Sequence, residues 1–165
     1  MPASRIGWSA LATAVAVATS VLCASPAQAA QPWNGRYEMV AYTTQRGGTS
    51  PASRIYEADL TGVFTLNTSC ATGTCVAIAR GPGPANRTVP NPLRYVWTGS
   101  NWTASYDWVW NCALSDGYHK SRSPATSWVF YDPQPDGSLK GTWHTDITEG
   151  PCRGSVITPV AAFPG

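Results

Sequence analysis

In the stretch YDWVWNC, Tyr106, Trp108, Trp110 and Cys112 fall on one face of an extended chain, and Asp107, Val109 and Asn111 fall on the other. A strand face carrying three large rings and a cysteine has to be buried against something. The same alternation runs through Phe64, Leu66, Thr68 and Cys70, and through Tyr95 and Trp97. A chain that writes several such strands must close them around a shared interior, because a one-residue slip in register would turn every ring to water.

Strands are predicted over residues 36–44, 54–68, 75–80, 93–98, 102–112, 127–131, 139–147 and 155–158, separated by Gly, Pro, Asn and Asp. No ten-residue window sustains a helical apolar period clear of Gly or Pro. The stretches WTGSNW and YDPQPDGSLKGTW join aromatic strands through Gly with Asn and through Asp-Gly, which is hairpin chemistry. The expected fold is all-β, an antiparallel meander of consecutive strands forming a small barrel or a sandwich. Two segments fall outside the strands: a Pro/Gly-rich loop over 81–92 and a polar loop over 113–126.

The first residues place the chain outside the cytoplasm. Arg5, the apolar run over 10–24 and Ala27-Gln28-Ala29 make a secretory signal peptide, with cleavage expected after Ala29. The apolar run is shorter than the ~20 residues a membrane span needs. Residues 30–165 then form one domain, soluble and exported to the extracellular space or the cell envelope, without a membrane span after cleavage. Removing Arg5 leaves ten Lys and Arg against nine Asp and Glu, a balance that gives no footprint for nucleic acid.

Cys70, Cys75, Cys112 and Cys152 remain in the mature chain, an even number that reads as two disulfides. Three connectivities are open. The preferred one joins Cys70 to Cys75 across the turn ATGT, where Gly73 can take a positive φ, and Cys112 to Cys152.

The aromatic faces serve either as core filling, the preferred reading, or as a platform for a sugar ring or an apolar ligand in a barrel mouth. Seven Trp and seven Tyr in the mature chain are enough that some should reach the surface. Trp33, Trp102 and Trp143 border turns and are expected to be more exposed than Trp108 and Trp110. No nucleophile elbow, zinc-protease helix or phosphate loop occurs, and no motif implies a metal or cofactor. His144 and Asp146 share a strand face, a spacing that more often makes a surface hydrogen bond than a catalytic pair. The candidate ligand-binding residues are Tyr118, His119, Lys120 and Arg122 on the polar loop, with Trp102.

The Ala-rich export signal, CATGTCVAIA, the Trp-bearing strands and the closing GPCRGSVITP resemble short exported proteins of actinobacteria, particularly mycobacteria. They are similar, too, to the extracytoplasmic β domains appended to some kinases there. The resemblance implies no catalytic residues. The functional expectation is a non-enzymatic binding or interaction protein, its partner a small molecule or a macromolecule of the envelope or host. The alternatives are a small secreted hydrolase using a carboxylate pair and a structural envelope protein.

Overall fold

A computed structural model describes residues 32–113 and 120–165; the expected signal peptide lies outside them. Among the described residues the strands are β1 (Gly35–Ala41), β2 (Leu60–Ser69), β3 (Val76–Arg80), β4 (Leu93–Trp97), β5 (Trp102–Ala113), β6 (Lys120–Pro133), β7 (Leu139–Ile147) and β8 (Gly154–Pro164). Each pairs antiparallel with the next, and β8 returns to β1, so the sheet closes as a barrel rather than stacking as a sandwich. Closure removes the two free edge strands of an open sheet.

The alternation fixes what faces inward. Leu66 of β2, Ala77 and Ala79 of β3, Tyr95 of β4, Trp102 and Ala104 of β5, Val129 and Tyr131 of β6, Leu139 of β7 and Val160 and Ala162 of β8 form one buried cluster. Small residues on β3 and β8 leave room for the rings of β4, β5 and β6, as filling an interior at crystalline density requires. A second cluster gathers Ala52, Cys112, Ala125, Ile147, Cys152 and Val156 at the other end.

The two ends are built differently. At the base, short turns join β2 to β3, β4 to β5 and β6 to β7. Trp33, just before β1, plugs that end, its ring 5.0 Å from Tyr95, 5.1 Å from Tyr131 and 6.1 Å from Trp102, centroid to centroid. Its backbone is clipped to β2: Trp33 N donates to Thr68 Oγ1, which donates back to Trp33 O, both at 2.9 Å. At the mouth stand the long connections β1–β2, with two 3-10 helices (Thr43–Gln45 and Pro51–Arg54), and β3–β4, the loop 81–92.

Both disulfides join the preferred pairs. Cys70–Cys75 clasps the β2–β3 turn, where Gly73 has φ +83°. Cys112–Cys152 ties the end of β5 to the β7–β8 connection.

β1 ends at Ala41, three residues before the expected limit, because Thr43–Gln45 forms a 3-10 turn, and three other limits differ further from the sequence expectation. Residues 54–59 are not strand: the segment folds back, with Thr43 Oγ1 donating to Ala58 O at 2.6 Å and Asp59 Oδ1 accepting from Thr44 N at 2.9 Å. β8 runs on to Pro164, where it pairs with β1 and completes the barrel. β6 begins at Lys120, not Ser127, so half of the expected polar loop is strand. Its inward residues are small because large rings lie opposite: Ser123 faces Trp110 and Ala125 faces Trp108. Pro124 breaks no bond there, since Val109 opposite turns its N–H and C=O away to the 81–92 loop.

A lumenal cavity as the candidate functional site

Above the basal plug the barrel does not fill. A cavity of about 520 Å³ occupies the upper lumen, within the ~300–1,000 Å³ typical of small-molecule sites. Its wall is largely apolar: Met39 and Ala41 from β1, Phe64 from β2, Leu93 from β4, Trp108 and Trp110 from β5, Trp143 from β7 and Val156 from β8. Phe64 lies in space that two glycines leave. A Cβ on Gly62 would come within 2.9 Å of its ring, and one on Gly81 within 2.4 Å.

The indole wall is held by one hydroxyl. Ser127 Oγ accepts from Trp108 Nε1 at 2.9 Å and from Trp143 Nε1 at 3.0 Å, and it lies 2.8 Å from Thr145 Oγ1. Indoles only donate, so both lone pairs of Ser127 are used and its own hydrogen goes to Thr145. Both indole donors and the serine hydroxyl are thereby satisfied, which holds the two indoles in place.

The floor is phenolic. Tyr95 and Tyr131, 1% and 3% exposed, line the cavity from below with ring centroids 5.8 Å apart, and Tyr106 lines it from the side. Burial pushes the Tyr106 phenol up to about 12. Burial raises Tyr131 as well, and raises Tyr95 well above the ordinary tyrosine value, with the other two phenols adding to the effect. All three therefore stay neutral at physiological pH.

The rim carries charge. The Arg46 side chain, 5% exposed, pairs through Nη1 with Glu57 Oε2 at 2.8 Å, and Nη2 donates to Ile55 O. Glu57 is the one carboxylate among the described lining residues. On the other side, residues of the 81–92 loop cover a seam. β4 and β5 share only two residue pairs, against twelve between β5 and β6. Where β5 runs on without β4, Asn86 Nδ2 donates to Val109 O at 2.7 Å and Val109 N donates to Thr88 Oγ1 at 3.0 Å.

The sequence candidates fall in several places. Trp102 is 0% exposed, with its ring 5.3 Å from Trp97, and belongs to the basal core, contrary to its expected exposure. Trp33 is equally buried, whereas Trp108 and Trp110, expected to be the deeper pair, are half-buried on the cavity wall. The face that opens YDWVWNC thus packs inward and also borders the cavity. Arg122 stands exposed on β6 opposite Asn111, a strand position rather than a loop. Lys120 opens β6 opposite Ala113. Tyr118 and His119 lie outside the described residues. His144 Nε2 lies 2.9 Å from Asp146 Oδ1 on β7, the surface hydrogen bond expected of that spacing. Sequence reasoning missed Arg46 and Tyr131 as cavity residues, and Ser127 as the hydroxyl that holds the indole wall. Of these only Tyr131 carried a signal, two residues after Val129 on a predicted strand.

Two solved structures share this fold. The monomer form of the M. tuberculosis PknI sensor domain matches with a TM-score of 0.63 at 17% identity, over 84% of this chain and 90% of that one. The dimer form of the same domain matches with a TM-score of 0.52 at 20% identity, over 71% of this chain and 83% of that one. No curated protein is a match. The model of the PknI serine/threonine-protein kinase sensor domain matches residues 29–164. With nearly every folded residue inside that match, the chain belongs to the PknI serine/threonine-protein kinase sensor domain family.

Proposed function

We propose that this sensor domain works outside the cytoplasm as a non-enzymatic receptor that takes a small apolar molecule into the lumen of its barrel. The observation that carries the reading is the 520 Å³ cavity, walled by aromatic side chains in a barrel whose base is plugged by Trp33. The leader-like first residues and two disulfides support an oxidising compartment. A wall whose two indoles are held by hydrogen bonds is preorganised, so little ordering entropy is lost when a ligand enters.

The test is titration with the neutral fluorophore N-phenyl-1-naphthylamine, alongside native mass spectrometry of protein from its own source. Saturable binding at one site is expected, and Ala41→Trp, which puts a ring into the upper lumen, is expected to abolish it while the circular dichroism spectrum is kept. No binding by the unsubstituted protein, or equal binding by the Ala41→Trp variant, would overturn the lumenal reading. A small molecule that travels with the folded protein and is lost on denaturation would identify the occupant.

A further inference from the structure

The lumen is apolar along its wall and polar at its floor, an order that says which end of a ligand enters first. Tyr95 and Tyr131 both line the cavity, and both are more than nine-tenths buried. Among the described residues neither hydroxyl makes a hydrogen bond to the protein, while the nearby Ser127, Thr145, Trp108 and Trp143 satisfy one another. Hydroxyls that border the cavity and have no protein partner are free to bond its contents, so an occupant that displaces water from them loses affinity unless it restores the bonds.

Resting on the lumenal reading above, we propose that the occupant is a flat, uncharged molecule that enters with a carbonyl or similar acceptor leading, and that the hydroxyls of Tyr95 and Tyr131 bind that group. Flatness follows from the wall, where Trp108 stands with its centroid 5.3 Å from Trp110 and 6.2 Å from Trp143. Absence of charge follows from the floor: phenols that stay protonated offer donors but no countercharge, and the one arginine on the lining, Arg46, is at the rim and engaged by Glu57. The source of specificity is the pair of donors, because an analogue that lacks the acceptor leaves both hydroxyls unpaired.

The experiment compares three probes of one shape on the full chain: 2-acetylnaphthalene, 2-ethylnaphthalene and 2-naphthoate. The ketone is expected to bind about tenfold more tightly than the ethyl compound, the size of one or two net hydrogen bonds. Naphthoate is expected to be the weakest at neutral pH. In the double variant Tyr95→Phe, Tyr131→Phe, which keeps both rings, the ketone should fall to the affinity of the ethyl compound, whose own binding stays unchanged. Equal binding of ketone and ethyl compound by the unsubstituted protein, or a preference that survives in the double variant, would overturn the polar floor and leave the lumenal site standing. Naphthoate binding as tightly as the ketone would overturn the requirement for an uncharged ligand. Failure of all three probes would remove the lumenal site and this inference with it.

Discussion

The base and the mouth of the barrel draw on the same kinds of residue and use them for opposite ends. At the base, Trp33 meets Trp102, Tyr95 and Tyr131 ring to ring beneath short turns, beside a smaller hollow of about 300 Å³ lined by Trp33, Trp102 and Leu139. At the mouth, Trp108 meets Trp110 and Trp143 along one wall of a cavity, with small residues across from them on β6, under long connections held by a few side-chain hydrogen bonds. Burial of a ring yields stability where its neighbours are rings, and capacity where its neighbours are small residues such as Ala125, Ser127 and Ser123. Aromatic content alone therefore says little about function; what stands opposite each ring decides it.

Substitutions at the two ends should separate these roles. Trp33→Ala should cost about 3–5 kcal/mol in urea denaturation, as expected for deleting a ring from a packed core, and a loss below about 1 kcal/mol would mean the base is not the stable end. Removing the long disulfide with Cys112→Ser and Cys152→Ser should cost about 4 kcal/mol in the chain-entropy model, whereas removing Cys70–Cys75 should cost about 2, because the closed loops span separations of 40 and 5 residues. Ser127→Ala should cost about 1–3 kcal/mol by leaving two indole N–H groups unpaired, and it should loosen the wall enough to weaken probe binding. Asn86→Ala should change stability by no more than about 1 kcal/mol yet speed probe exchange in stopped-flow fluorescence, since it frees the loop over the β4–β5 seam. An unaltered exchange rate would show that entry lies elsewhere on the rim.

Acid should act weakly and at both ends. Backbone and side-chain hydrogen bonds from Thr44 hold the Asp59 carboxyl below its ordinary range at the mouth, and hydrogen bonds from the Ser138 side chain and backbone do the same for Asp136 at the base. A carboxylate whose folded pKa is depressed adds stability that is full above the unfolded value of about 3.9 and is lost as pH falls through the folded one. Asp59→Asn and Asp136→Asn should therefore each lower the neutral plateau of the stability profile slightly and flatten its acid limb below about pH 4, so that variant and unsubstituted protein converge in acid.

The barrel was legible in the sequence wherever large apolar and polar residues alternated, as along Tyr106 to Cys112, because such a face has one place to go. The disulfide pairs were legible from the turn between Cys70 and Cys75. The first half of β6 was hidden because Ser121, Ser123 and Ala125 alternate with Arg122, Pro124 and Thr126, a pattern without apolar contrast whose sense appears only beside Trp108 and Trp110. Trp102 was misplaced for a related reason: proximity to a turn suggested exposure, but that turn lies at the end Trp33 closes. The cavity itself could not be read, since an unfilled volume is a property of facing strands and belongs to no single stretch.

The space that Phe64 occupies has an evolutionary consequence. Its ring sits where Gly62 and Gly81 lack side chains, and Gly81 is outside the cavity lining. One added carbon at Gly81 would drive the ring aside and alter the room inside the barrel, although that carbon would never meet a ligand. Lineages bearing this barrel thus have a route to new ligand sizes that spares the wall and floor, and relatives with alanine at this position are expected to show a lumen of different volume.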